Sequence, residues 1–546
     1  MIEPLFALWA RLEPRDLSII KCGVASAATL LLAWNLRSTA ERRLYRVRLW
    51  VLSVLGVVGF GCWWELGQFH YPTYIQVHEH YHYYLGAKYF PELGYTRLYE
   101  CTAVADVEAG LRRQVVSRLI RDLTTNRLAS GADIISNPAD CTDRFSAPRW
   151  EMFKSDVAWF RSHRTPELWS EALADHGYNA TPVWAIAASL LIPERPANDA
   201  DILFLALLDP LLILTMWGFV WWAFGWETTC IGMIWWGTNW LAAYLYTGGA
   251  FLRADWLALS VIGVCLVKRA RPALGGFALT YAALLRVFPA FIIAGLVLKA
   301  AMRMWRLRTF RVDPSHRAFA MGSIAGAVLL LLLSFVVVGK GVNGGVQAWT
   351  GFVANSEKHL ATPLTNNMGL KTVLSFSPAT RAAVIGNYWL DTPWDLWADN
   401  RHRVFQQRQP FFWVLVIAFV VLLARAVEAQ EDWVALVLGT TLVPVVTELT
   451  CYYYSVFVLF ALLWRKWPSS GAALCALSAS TLLMPVIFRN SDDAFTASSA
   501  LTLLFVATLI GVMLPRMNAS DIFLSGIRTR NAKAVLQKHV QTERSL

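Results

Sequence analysis

The sequence predicts an all-α, polytopic membrane protein of about 11–13 transmembrane helices, with a helical insertion between two of them. Three observations carry this reading. Of the 546 residues, 56% are hydrophobic and only 16% are charged, where a soluble chain would carry about 25% charge. The mean hydropathy is +0.42, and the apolar residues gather into runs approaching the roughly 20 residues that a spanning helix needs. Many of the 26 tryptophans sit at the ends of such runs (Trp63, Trp64, Trp221, Trp222, Trp464, Trp467), as in an interfacial aromatic belt.

In chain order, the runs at 17–36 and 49–69 make an N-terminal transmembrane unit, 1–69. A polar stretch, 70–201, follows. The runs at 202–225, 228–248, 255–267, 273–299 and 318–338 make a transmembrane core, 202–338. A second polar stretch, 339–410, precedes a C-terminal group, 411–514, with runs at 411–424, 433–447, 452–464, 470–488 and 494–514, and a basic tail at 515–546 closes the chain. Several runs are short for a span, as expected of helices buried against neighbours. Residues 1–16 carry both charge signs and no apolar core, so no cleavable leader is expected there. No internal repeat is visible.

Short loops rich in Lys and Arg face the cytoplasm. On that rule the stretches 37–48, 268–271, 299–317, 465–466 and the tail share one side. Two of them flank the single run 273–299. It is interrupted at "LLRVFPAF", where Pro289 removes a helical hydrogen bond, so the run is read as a hairpin turning near Arg286–Pro289, with one tilted helix kinked by the proline as the alternative. This places 70–201, 249–254, 339–410, 448–451 and 489–493 on the outer side. The net charge of +11 thus belongs to topology and to anionic headgroups rather than to nucleic acid, which is not expected as a partner.

Cys22, Cys62, Cys230, Cys265 and Cys475 lie in apolar runs and read as core residues. Cys101 and Cys141 share the first polar stretch, and a disulfide between them is plausible if it meets an oxidising compartment. Within that stretch, Val107, Leu111, Val115, Leu119 and Leu123 recur every four residues, which predicts one amphipathic helix. "TPELWSEALADHG" predicts a helix capped by Thr165 and stopped by Gly177. "TPVWAIAASLLIP" is too short to span and reads as an interfacial helix.

The densest polar cluster is "YIQVHEHYHYYLGAKYFPELGYTRLYE", 74–100. Glu79 and Tyr83 are four apart and share a helical face, with Tyr84 and Lys88 close by. A carboxylate at the rim of a membrane cavity suits a general base that deprotonates an alcohol. The neighbouring histidines could instead bind a metal, but "HEHYH" is read as lacking the i, i+4 His pair that makes one-face helical ligation specific, so a divalent metal is possible but not indicated. Arg253, Asp255, Arg286, Glu448 and Asp209 lie in or beside apolar runs, where each ionisable group costs about 2.5–3.5 kcal/mol at the bilayer centre and so faces protein or water. Arg286 and Arg253 could hold a phosphate by bidentate contacts; structural ion pairs with Asp209, Asp255 or Glu448 are the alternative. Asn366, Asn367 and Lys371 offer donors and acceptors to a polyol such as a sugar, and Tyr452 and Tyr453 could stack on a sugar ring. No phosphate-binding glycine loop, GxSxG or paired CxxC is present, which argues against a nucleotide-dependent enzyme.

These motifs resemble the GT-C class of membrane glycosyltransferases, in particular its polyprenyl-phosphate-sugar-dependent, mannosyltransferase-like branch. The likeness rests on Glu79, Tyr83–Tyr84, Gly86–Ala87 and Leu98–Tyr99–Glu100, and on Arg286 ahead of Pro289, with weaker similarity at 448–464. The chain departs from the pattern in carrying Glu79 where an Asp is usual, and in the size of its insertion. The resemblance implies a GT-C-like fold in the bacterial plasma membrane with its site facing the exterior. It further implies an inverting transfer of sugar from a polyprenyl-phosphate donor to a glycan, lipid or protein hydroxyl, with Glu79 as base and no certain cofactor. A lipid or solute transporter, or a non-catalytic scaffold of the same fold, are the rival readings. A transporter would show related halves with matching broken helices.

Overall fold

A computed structural model describes residues 12–37, 42–70, 73–338, 340–341, 343–362, 364–385 and 395–514. The basic tail, residues 38–41 of the first basic connector and most of 1–16 lie outside the described residues. The described chain is helical apart from two short antiparallel ladders, Leu119–Asp122 with Arg127–Ser130 and Asn367–Met368 with Leu449–Thr450. The protein is therefore an all-α membrane protein. Among the described residues, seven helices are long and apolar enough to cross a membrane: Pro14–Trp34, Leu44–Trp63, Asp199–Phe224, Pro314–Val337, Leu396–Val427, Pro468–Ile487 and Ser491–Met513.

The other apolar runs are broken into shorter pieces, each with a local cause. Thr238 ends one at Asn239, whose side chain accepts from the Ala242 N–H and donates to the Trp235 carbonyl. The run 273–299 splits into Pro272–Leu285 and Ala290–Leu307, because Arg286 is extended and Pro289 opens the second helix. The last short run, Cys451–Arg465, is wound as a 3₁₀ helix of 15 residues. At about 2.0 Å per residue it reaches about 30 Å, where an α-helix of that length reaches about 22 Å.

The basic connectors meet at one end of the bundle. Lys268 and Lys466 both pair with Glu431, at 3.2 and 3.1 Å. Lys299 and His316 converge on Asp432, at 2.5 and 3.0 Å. Arg306 reaches Glu428 at 3.0 Å, and Arg465 lies 3.9 Å from Glu227, which also accepts from Tyr45. The interrupted run consequently doubles back. Near its start, a Cβ added to Gly276 would lie 2.2 Å from the Phe319 carbonyl oxygen, close to where Pro314–Val337 begins. Near its end, Lys299 shares Asp432 with His316. Both basic flanks of 273–299 thus stand at the same end, with Arg286–Pro289 at the other, as the hairpin requires.

The insertion packs as a small subdomain on that other end. Its helix Val77–Lys88 is crossed by Ala147–Ser162 and Pro182–Leu191. Lys88 Nζ is buried against Asp156 Oδ2 at 2.8 Å, and Tyr89 donates to the same oxygen. Cys101 and Cys141 form a disulfide. Thr165 and Thr181 accept from Leu168 N and Trp184 N as N-caps, and Gly177 turns the chain with φ +75°. Helix Pro182–Leu191 buries Val183, Trp184, Ala185 and Ile186 between Val77–Lys88 and the spanning helix Pro314–Val337, while Leu190 stays exposed.

The single amphipathic helix expected over 107–123 is corrected. Gly110 (φ +86°) breaks it, and helix resumes only as Arg112–Val116. Leu119 and Leu123 belong instead to a β-hairpin whose turn is held by Asp122, which accepts from Thr124 N and the Thr125 hydroxyl. Short-range turn chemistry overrides a four-residue repeat there.

Candidate active site

Helix Val77–Lys88 carries the carboxylate of the candidate site. Glu79 and Tyr83, four residues apart, face the transmembrane core. Glu79 Oε2 lies 2.9 Å from Arg253 Nε, and an Arg253 Nη donates to the Tyr83 hydroxyl. Tyr83 in turn donates to Asn179 at 2.6 Å. The ring of Tyr83 carries two guanidinium groups, Arg253 at 4.5 Å and Arg286 at 5.7 Å. The structure thus brings Glu79, Tyr83, Arg253 and Arg286 together, whereas the expectation that Glu79, Arg286 and Lys371 line one cavity is not met, since only Arg286 of the three lines it.

Arg253 is delivered by an irregular segment, 249–254, that precedes the helix Asp255–Lys268. Asp209, buried in a neighbouring helix, holds that segment by accepting from Arg253 N at 2.9 Å and Ala254 N at 3.0 Å. Asp209 thus binds backbone and is not an ion-pair partner of Arg286. Asp255 accepts from Trp256 N at its own helix start. Arg286 is offered by the break in the hairpin. Arg286 is 8% exposed, and its Nε and Nη2 are buried without a hydrogen-bond partner. Buried guanidinium donors are seldom left open. Arg253, Arg286, Tyr452, Tyr453, Trp63 and Trp256 are among the residues enclosing a narrow cavity. Glu79 and Tyr83 stand behind Arg253, at the cavity's edge, and are not part of its wall.

Other expected residues lie elsewhere. Tyr84 and Lys88 are also four apart, but their face is turned into the subdomain. Lys88 is saturated by Asp156, the Tyr84 hydroxyl and the Arg195 carbonyl. Burial pushes the Lys88 ammonium down and the Tyr84 hydroxyl up from their ordinary values. Both are structural, which corrects their reading as substrate contacts. Lys371 does not join the cavity, as it pairs with Glu448 at 2.9 Å. Glu448 also accepts from Thr372 at 3.0 Å and from Arg401. Asn366 and Asn367 join that second cluster through the backbone. The Asn366 carbonyl accepts from Cys451 N, and Asn367 pairs with Thr450. The sequence gives no hint of Arg401 or Asp209 in these roles, because both act on partners about 45 residues or more away.

The expected lack of an i, i+4 histidine pair is corrected by the helix itself. His78 and His82 are four apart, so they do share a helical face, and Asp175 faces them with His78 Nε2 2.9 Å from its Oδ2. Burial keeps the His82 imidazole neutral, pushing it down to about 3, while His78 beside it holds the Asp175 carboxyl well below the usual range.

No protein-family model matches the chain, and no curated protein or solved structure matches it either.

Proposed function

We propose that the protein is an inverting glycosyltransferase of GT-C type that moves a sugar from a polyprenyl-phosphate donor to an acceptor hydroxyl. The observation that carries this reading is Arg286: a buried guanidinium with two open donors, beside a second arginine, in an aromatic-walled cavity. A buried cation with unsatisfied donors is costly unless an anion completes it, and planar forked donors suit a phosphate. Aromatic side chains suit the apolar faces of a sugar or the first prenyl units.

In this mechanism the donor phosphate enters between Arg286 and Arg253. Arg253, now shared with the phosphate, releases part of its hold on Glu79. The acceptor hydroxyl gives its proton to Glu79 as its oxygen bonds to the anomeric carbon. The bond from that carbon to the phosphate oxygen breaks, and the polyprenyl phosphate leaves with the electron pair. Arg286 and Arg253 stabilise the charge that develops there, which is the usual largest contribution to such catalysis. A phosphate leaves without a proton, so one carboxylate suffices.

The same proposal sets the membrane orientation. The pairing of the short basic connectors at one end supports a cytoplasmic assignment for it, and the Cys101–Cys141 disulfide in the insertion supports an oxidising compartment for the other. The shorter apolar helices and the 3₁₀ helix then bring the number of spans into the expected range of about 11–13. A bacterial plasma membrane with the cavity facing the exterior fits both. The test is a transfer assay in membranes with labelled polyprenyl-phosphate sugars and several acceptors. Product from at least one donor, lost in Glu79→Gln, supports the proposal. Product from none, with lipid binding retained, turns the reading toward a scaffold or carrier.

A further inference from the structure

We propose that His78, His82 and Asp175 form a binding site for a divalent cation of the Zn²⁺ class, independent of the glycosyl-transfer reading. The candidate ligand atoms of the three residues all lie within 4.8 Å of one another. His78 and His82 project from one face of Val77–Lys88, with ring centroids 4.7 Å apart, and Asp175 approaches from the end of the Pro166–Leu173 helix. Two imidazoles and one carboxylate, with a fourth position open to water, form a donor set that suits Zn²⁺ and its borderline neighbours.

The orientation of His82 strengthens the assignment. Its Nδ1 donates to the His78 carbonyl at 2.8 Å, which leaves Nε2 as a lone-pair donor for an ion. Metal-bound histidines are oriented by this kind of outer hydrogen bond. Four tetrahedral ligands at about 2.0–2.1 Å from Zn²⁺ stand about 3.4 Å apart, so the widest pair must close on binding. Side chains of His78 and Asp175 are 26% and 42% exposed, and they have room to swing toward the buried His82. Two groups crowd His82 Nε2, the Ala172 carbonyl oxygen at 3.3 Å and the Tyr99 hydroxyl. The Tyr99 hydroxyl sits 2.6 Å from His82 Nε2 and also accepts from Gly177 N at 2.8 Å. An ion displaces the first of these bonds and leaves the second.

An ion here would cross-link the first turn of the helix that carries Glu79 to the chain just beyond Leu173. The test uses untagged full-length protein in detergent, stripped with chelator and titrated with Zn²⁺ by calorimetry and with Co²⁺ by visible absorption. The expected result is one ion per chain and a rise in melting temperature. His78→Gln and Asp175→Asn, both at partly exposed positions, should weaken binding about tenfold or more. Tyr99→Phe, which removes the competing donor, should tighten it about fivefold. Melting without metal shows that each variant is folded; a variant that has not folded is replaced by His78→Asn or Asp175→Ala. Absence of binding, or binding unchanged in the His78 and Asp175 variants, overturns the site and leaves His78–Asp175 as an ion pair only.

Discussion

At the same end of the bundle, Glu79 and Glu448 each meet an arginine, and the two surroundings differ in what they leave open. Glu448 accepts from Arg401, Lys371 and Thr372, and the adjoining Leu449–Thr450 strand is zipped to Asn367–Met368. Every donor aimed at it is used. Glu79 meets Arg253, yet the adjacent Arg286 keeps two buried nitrogens without partners. A saturated carboxylate fastens one segment to another, whereas an unsatisfied buried cation asks for something from outside. The same residue types thus make a joint in one place and a receptacle in the other.

The sharpest way to break this contrast is to remove the carboxylate expected to act. Glu79→Gln should lower transfer by about 10²–10⁴-fold, the range of a general base, while donor binding survives. Full activity in that variant, measured with a labelled donor, would refute the role of Glu79. Arg286→Gln should cost about 10²–10³-fold in turnover, as loss of one preorganised charge-stabilising donor does, and should weaken retention of a polyprenyl phosphate. Unchanged affinity for that lipid would separate Arg286 from the phosphate.

Two further changes probe the supporting structure. Asp156→Asn strands the buried Lys88 and should destabilise the insertion by about 3–5 kcal/mol, read as increased proteolysis of 70–201. Lys371→Ala opens the saturated cluster, but Lys371 is 35% exposed and Arg401 remains. Its cost should be below about 1 kcal/mol, and a large drop in melting temperature would show that the second cluster is less self-sufficient than its hydrogen bonds imply.

Much of this arrangement could be read from the residues. The interruption at Arg286–Pro289 and the distribution of Lys and Arg were enough to fold 273–299 back on itself, because backbone chemistry and charge act locally. Thr165 and Gly177 marked helix ends for the same reason. The pairings that failed are long-range. Periodicity shows that Glu79 and Tyr83 share a face, and equally that Tyr84 and Lys88 do. It does not tell which face meets the membrane core and which meets Asp156. Lys371 looked free because Arg401 and Glu448 are far along the chain. The stripe at 107–123 failed because Gly110 and the Asp122 turn were outweighed by a repeat that a hairpin can also produce. The His78–His82 spacing was in plain view, and only the arrival of Asp175 made it a cluster.

The winding of Cys451–Arg465 links the two ends of the molecule. With three residues per turn, Tyr452, Ser455, Val458 and Ala461 stack in register along one edge, and Tyr454, Phe457 and Phe460 along another, as their ring contacts at 5.4 and 4.9 Å reflect. Arg465 anchors this rod near Glu227, while Tyr452 and Tyr453 at its tip close the cavity. Relaxed to α-helical pitch, the rod would be shorter by about 7 Å, and the two tyrosines would retract from the arginines. Its gauge is therefore what sets the reach of the aromatic wall.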